Sequence, residues 1–300
     1  MIAVRIESGA ISVRQTEMPN RPPGYALLRT RLAGICNTDL ELQHGYYGFT
    51  GTPGHEFVAD VAEADTESLI GKRVVGEINL ACGHCEFCAQ QLGRHCRNRT
   101  VLGMVKHPGA FAEYFTLPEE NLHVLPDSIP DEQAVFVEPL AAACEILDQV
   151  SIPPGEQVAV LGDGKLGRLI ARVLEAHGAR VTLFGRQTAK PRATYKFVVD
   201  ATGSPAGLKD AVTMVQVRGT VIMKSTIQGD IAIDTAPIIV NEVTLVGSRC
   251  GRFEPAIELL THRDVDLRPM ISAKFPLAQA EEAFTLAAKP GVLKVLLSPA

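Results

Sequence analysis

The chain has 300 residues, 46% hydrophobic and 21% charged, which is enough apolar material for a sizeable core and for two domains. Its 29 basic and 34 acidic residues leave a formal net charge of −5 without a basic patch, so a nucleic-acid groove is not expected. No run approaches the ~18 consecutive apolar residues of a membrane span, and the opening MIAVRIESGAISVRQTEMP lacks the apolar core of a secretory leader.

Residues 1 to about 145 read as β-rich and loop-rich. The N-terminal run alternates apolar and polar positions like one strand, and the β-branched runs at 26–32, 57–62 and 73–78 are bounded by Gly, Pro and Asn. The segment CGHCEFCAQQLGRHC follows, with Cys82, Cys85, Cys88 and Cys96 in the spacing C-x2-C-x2-C-x7-C. Four thiolates so close together can wrap one tetrahedral zinc ion. The loop has no hydrophobic run of its own, so the metal is expected to fix its shape. Seven cysteines with four clustered read as metal ligands in a reducing, cytoplasmic compartment, not as a disulfide framework. Cys144 and Cys250 read as ordinary buried or half-buried thiols.

A helical run at 138–150 opens an alternating pattern. Strands are expected at 157–161, 180–184, 195–201, 219–224 and 243–247, and helices at 166–177, 206–215 and 254–261. Such alternation predicts a parallel, doubly wound sheet. The tail adds a helix at 277–288 and a strand at 292–297, expected to fold back onto the first domain. The predicted division is residues 1–148 completed by 266–300, and residues 149–265. The apolar stretch 238–247 reads as buried core, or as a sheet edge available for pairing between copies.

The strand ending at Leu161 runs into Gly162-Asp163-Gly164-Lys165-Leu166-Gly167, a G-x-G-x-x-G turn that opens a helix. Gly162 permits the tight turn, Gly164 lets the backbone approach a pyrophosphate, and Gly167 lets helix and strand pack closely. Lys165 and Leu166 begin the helix, whose free N–H groups favour an anion. NAD-binding proteins usually carry Asp or Glu at the end of the second strand, to accept from the ribose 2′-OH. Here that strand ends in Gly185-Arg186, with Lys190 after it. Glycine makes room for a 2′-phosphate and Arg186 can pair with it in a fork, which predicts NADP(H) over NAD(H).

Three short segments remain: Gly-Ile-Cys-Asn-Thr-Asp at 34–39, Gly-His-Glu at 54–56 and Val-Glu-Pro at 137–139. Taken in order with the four-cysteine lobe, the Gly-Ala-Phe-Ala-Glu-Tyr run at 109–114 and the glycine turn, they resemble the zinc-containing medium-chain dehydrogenase/reductase superfamily. That superfamily includes alcohol, sorbitol, threonine and glucose dehydrogenases, and the resemblance covers nearly the whole chain. The Glu-Pro-Leu segment points to the polyol, threonine and sugar branch.

The resemblance implies an α/β protein with a GroES-like catalytic domain and a Rossmann cofactor domain. It implies two zinc ions per chain: a structural ion on the four cysteines, and a catalytic ion on Cys36 and His55 with Glu56 or Glu138. It further implies that Thr38 touches the substrate oxygen and relays its proton, that Asp39 orients His55, and that Lys294 lies near the cofactor pyrophosphate. The implied reaction is hydride transfer between a secondary alcohol, polyol or sugar and NADP(H), by a homodimer or homotetramer. Tyr46, Tyr47 and Phe49, between the two ligand motifs, either wall the substrate pocket or pack the loop.

Two departures stand out. Glu41 occupies a place where polyol-type members often have histidine, leaving His44 as a substitute. Only ten residues separate the second strand from the next, where the family has a helix, a strand and another helix. Ten residues are too few for a crossover of a dozen or more, so about five strands are expected in a shortened sheet. That shortening motivates an alternative reading as a non-enzymatic nucleotide-binding or redox-sensing protein. Four retained metal-competent side chains argue against it, and the acidic charge argues against a nucleic-acid-binding zinc ribbon.

Overall fold

The computed structural model describes every residue except Gln228, Gly229, Arg263 and Ala300. In chain order the elements are strands β1 (Ile2–Glu7), β2 (Ala10–Gln15) and β3 (Tyr25–Ile35), helix α1 (Asn37–Gln43), strands β4 (Glu56–Glu63), β5 (Arg73–Gly76) and β6 (Asn79–Leu80), and helix α2 (Glu86–Ala89). Strands β7 (Thr100–Leu102), β8 (Lys106–His107), β9 (Tyr114–Pro118) and β10 (Leu122–Val124) lead to helices α3 (Asp131–Ala134) and α4 (Val137–Gln149). Then come β11 (Gln157–Leu161), α5 (Lys165–Ala176), β12 (Arg180–Phe184), β13 (Tyr195–Asp200), α6 (Pro205–Met214), β14 (Val215–Met223), α7 (Ala236–Val240), β15 (Thr244–Gly247) and α8 (Phe253–His262). The chain closes with β16 (Ile271–Pro276), α9 (Ala280–Ala287) and β17 (Lys294–Ser298). Contacts divide it into two units, Met1–Glu138 with Ala256–Ala300, and Pro139–Pro255.

The first unit is built on a seven-stranded sheet, β10-β5-β4-β3-β17-β16, with β9 also pairing β3. Strand β3 carries three partners because its 11 residues let β9, at 25–29, and β17, at 33–35, pair successive lengths of it while β4 pairs 27–34. Its registers decide what meets at its end: Gly34 lies opposite Glu56 of β4, and Leu296 of β17 lies opposite Gly34 on the other side. The N-terminal run is not the single strand expected from its alternation. Ser8 (φ 50°) and Gly9 (φ 82°) both adopt left-handed backbone, which folds β1 against β2 as a two-residue hairpin.

The second unit is a five-stranded parallel sheet, β12-β11-β13-β14-β15. Leu161, Phe184, Asp200, Met223 and Gly247 form one row across it, so all five strands end together along one edge. A shortened, doubly wound sheet is therefore present. Contrary to the expectation that ten residues are too few for a crossover, residues 185–194 connect the parallel strands β12 and β13. They make the crossover with neither helix nor strand. Ten residues in extended form reach about 33 Å, more than the length of these strands. Phe184 and Tyr195, at the two ends of the connector, pack edge to face with centroids 5.9 Å apart.

The 238–247 stretch is only partly core. Val243 is buried with the second unit's core and Ile238 packs against it, whereas Ile239 and Val240 are 73% and 77% exposed and β15 is an edge strand. Among the described residues, no helix is long and apolar enough to cross a membrane.

Candidate active site and metal centres

Cys36 follows β3 and caps α1, so the thiol is presented where the strand turns into the helix. Asp39, in the first turn, is fully buried and ties two distant backbone segments together. Its Oδ2 accepts from the Cys36 N–H at 2.8 Å and its Oδ1 from the Gly54 N–H at 3.3 Å. Residues 36 and 55 are thus held side by side before any metal is considered. His55 Nδ1 lies 3.4 Å from Asp39 Oδ1, a charge contact longer than an ideal hydrogen bond. Burial pushes the imidazole down, but the Asp39 carboxylate and then Cys36 outweigh it and hold the ring well above its ordinary value.

Glu56 follows His55 at the start of β4 and is 1% exposed. It pairs with the ammonium of Lys294, which is itself 3% exposed and sits 5.6 Å from the centroid of the Phe136 ring. Burial lowers the affinity of Lys294 for its proton, while Glu56 and then Cys36 restore it and raise the group above its ordinary value. Gly34 makes the pair possible, since a Cβ there would come within 2.7 Å of Glu56 Oε2 and 3.2 Å of Lys294 Cδ.

A sulfur from Cys36, a ring nitrogen of His55 and a carboxylate oxygen of Glu56 all lie within 4.8 Å of one another. Glu138 is half-buried and outside this group. His55 Nδ1 and Glu56 Oε1 are buried without a hydrogen-bond partner. Nδ1 faces Asp39, so the unmet capacity of the thiol–imidazole–carboxylate set is the Glu56 Oε1, and the set matches the donor chemistry of a catalytic zinc ion; these residues fit one. Thr38 Oγ1 stands 3.8 Å from Cys36 Sγ. Glu41 and His44 are exposed, as is Tyr47, whose ring lies tilted by 39° against half-buried Tyr46 with centroids 4.1 Å apart.

The second cluster is tighter. Sγ separations are 3.5 Å for Cys85–Cys88, 3.7 Å for Cys85–Cys96 and 3.9 Å for Cys82–Cys88. Four sulfurs about 2.3 Å from a tetrahedral centre stand about 3.8 Å apart, so this set also fits zinc. The His84 peptide N–H holds the Cys82 thiol down to about 6, while burial pushes Cys88 up to about 11. A cation would complete the set by displacing the remaining protons.

In the second unit the glycine turn is built as its residue types require. Gly162 has φ 102°, and Gly164 caps α5 with open space where a side chain would be. A Cβ on Gly167 would meet Gly162 O at 1.8 Å. Lys165 and Leu166 open the helix, half-buried. A cradle free of side chains at a helix N-terminus fits a pyrophosphate. Arg186 is exposed just past β12, and Lys190 is tied to Asp210 of α6 at 3.4 Å.

Sequence reasoning missed two features here. Lys294, expected at the pyrophosphate, is buried against Glu56; the Gly before Ile-Cys was the only local sign that something large sits there. Asp163 fills a position to which the G-x-G-x-x-G pattern assigns no role. Its carboxylate lies against Gly185, with Oδ2 2.8 Å from where a Cβ on residue 185 would stand.

The alcohol dehydrogenase GroES-like domain family matches residues 22–127. The chain is 30% identical to 2-dehydro-3-deoxy-L-galactonate 5-dehydrogenase of Pseudoalteromonas atlantica over 87% of each chain. It is 25% identical to sorbitol dehydrogenase of Halalkalibacterium halodurans over 99% of this chain and 98% of the relative. That alignment runs over 338 positions, more than the 300 residues available here, so the relative has residues this chain lacks. Among solved structures, a zinc-binding dehydrogenase of Sinorhizobium meliloti 1021 bound to NADP superposes with a TM-score of 0.92 at 27% identity, covering 99% of each chain. An alcohol dehydrogenase of Thermus sp. ATN1 does so with a TM-score of 0.92 at 26% identity, again over 99% of each chain.

Proposed function

This chain belongs to the zinc-containing medium-chain dehydrogenase/reductase family, an enzyme family acting on alcohols, and from that premise we propose that it is a zinc-dependent oxidoreductase moving a hydride between a secondary alcohol, polyol or sugar and NADP(H). The observation that carries the reading is the buried Cys36–His55–Glu56 set, in which Glu56 Oε1 has no hydrogen-bond partner and Asp39 faces the His55 Nδ1. A zinc ion held there would supply Lewis acidity toward an alcohol or carbonyl oxygen. The nicotinamide cofactor supplies the hydride chemistry.

The protein's part is position and charge. Asp39 fixes Cys36 and the Pro53–Gly54 peptide to one another and faces the His55 ring, the support that a ligand histidine needs. Lys294 neutralises Glu56, so the carboxylate tolerates burial while other charges come and go. Thr38, beside the Cys36 sulfur, offers a hydroxyl that can accept and pass on the proton of a substrate oxygen. We assign Glu56, rather than Glu138, as the carboxylate of the catalytic set, because Glu138 lies outside the cluster. Cys82, Cys85, Cys88 and Cys96 would hold a structural zinc.

The unit Pro139–Pro255 is read as the dinucleotide-binding domain, with Gly162, Gly164, Lys165, Leu166 and Gly167 around the pyrophosphate. Exposed Arg186 beside a residue with no side chain supports a 2′-phosphate contact and hence NADP(H). The exposed edge of β15 with Ile239 and Val240 supports assembly as a homodimer or homotetramer. Seven cysteines, none of them in a disulfide among the described residues, suit the reducing cytoplasm.

The test combines metal content with turnover on a panel of secondary alcohols, polyols and sugars. Wild type should carry two zinc ions per chain. Cys36→Ser should lose one of them and its turnover, and keep the fold and the other ion. Unchanged turnover in that variant would overturn the site.

A further inference from the structure

Gly185 stands where nicotinamide-dinucleotide proteins usually place an acidic residue, at the C-terminal end of the second strand. Its backbone is not left-handed, so conformation gives no reason for glycine there. Space does. A Cβ at residue 185 would fall 2.8 Å from Asp163 Oδ2, 3.2 Å from Asp163 Cγ and 3.6 Å from Asp163 Oδ1. The carboxylate of Asp163 therefore fills the volume that a side chain on residue 185 would take.

Asp163 is held there. The Gly162 N–H donates to Phe184 O at 2.8 Å, which fastens the glycine turn to the end of β12. The Arg168 Nε–H donates to Asp163 O at 2.8 Å, which fixes the peptide from the helix side. Asp163 is also exposed, so its oxygens are available to a ligand.

We propose that Asp163 is the ribose-reading residue of this chain. It supplies from the glycine turn the acceptor that related sites supply from the second strand. The proposal rests on the dinucleotide reading of this unit and deepens it. A carboxylate there accepts from a ribose 2′-hydroxyl and repels a 2′-phosphate, whereas Arg186 does the reverse. The two side chains oppose each other, so NAD(H) is accepted alongside NADP(H), and the preference that Arg186 gives to NADP(H) is held down by Asp163.

The experiment is a binding titration of NADH and NADPH on the purified full chain, followed by nicotinamide fluorescence without substrate. Asp163→Asn, which keeps shape and removes charge, should weaken NADH about tenfold or more, the size of a lost charged hydrogen bond. NADPH should bind as tightly as before or more tightly. Gly185→Asp alone should weaken both dinucleotides, because its Cβ meets the Asp163 carboxylate. Asp163→Gly combined with Gly185→Asp moves the acid to its usual place and should restore NADH binding, a non-additive result. A purely structural Asp163 at the helix start would shift both dinucleotides equally, and that outcome, or no change in either, overturns the proposal. If wild type binds neither dinucleotide, the reading of the site falls and this proposal with it.

Discussion

Lys294 and Glu56 lie 238 residues apart in sequence and share a site that excludes water. The pair costs desolvation on both partners and is tolerable only because each charge meets the other. Removing the ammonium leaves a buried carboxylate that only a metal ion can compensate. Lys294→Met should therefore destabilise the chelator-treated protein by about 3–5 kcal/mol, the usual penalty for breaking a buried pair. The loss should be distinctly smaller in zinc-loaded protein, where the cation meets Glu56. Urea midpoints of both forms check this, and an equal loss in the two would mean that Glu56 does not face the metal. The same neighbourhood shows how a single glycine is chosen: at position 34 any side chain would displace either member of the pair.

At the scale of elements, short polar ties set the geometry of the loops around the large sheet. Asp65, between β4 and β5, accepts from the Gly24 N–H at 2.6 Å and from Arg21 Nη1 at 2.6 Å, so it anchors the entry to β3. The Gly24 amide first, and Arg21 after it, hold the Asp65 carboxyl below the usual carboxylate range. A group depressed in the folded state contributes stability above its unfolded value, about 3.9, and loses it as pH falls through the folded one. Asp65→Asn should therefore lower the urea midpoint at pH 7. Its gap from wild type should narrow as the pH falls below the ordinary aspartate value and through the lower folded one. A gap that persists in acid would show that lost geometry, not charge, carries the tie. The pair is exposed, so added salt should also narrow the gap at pH 7. The cysteine lobe would depend on a zinc ion in a different way, since its sheet of two- and three-residue strands, β6-β7-β8, has too little hydrogen bonding to stand alone.

For the molecule as a whole, the unit Pro139–Pro255 keeps a five-stranded sheet with all strand ends in one row. A dinucleotide that binds only the folded form adds stability by mass action, about 2.7 kcal/mol at a hundred times its Kd. Calorimetry should show the transition of this unit rising with NADPH and with NADH, each in proportion to its measured affinity. A transition that ignores both would remove the cofactor from the account. The four cysteines, the glycine turn and the alternation of strands and helices were legible because each is a local pattern: the partners lie within a few residues, and spacing alone brings them together. The N-terminal hairpin escaped an alternation that looks the same on both sides of Ser8 and Gly9, since the backbone sign at two residues, not hydrophobic period, makes the turn. The crossover of residues 185–194 escaped because extended chain covers distance that a helix cannot. Which carboxylate joins Cys36 and His55, where the Lys294 charge goes and what fills the space beside Gly185 were decided by strand register and by packing across the sheet edge. The sequence by itself determined the donors and the turn. Only the tertiary structure chose their partners, because the energies that pair buried charges and exclude side chains act through space between segments whose separation along the chain carries no record of it.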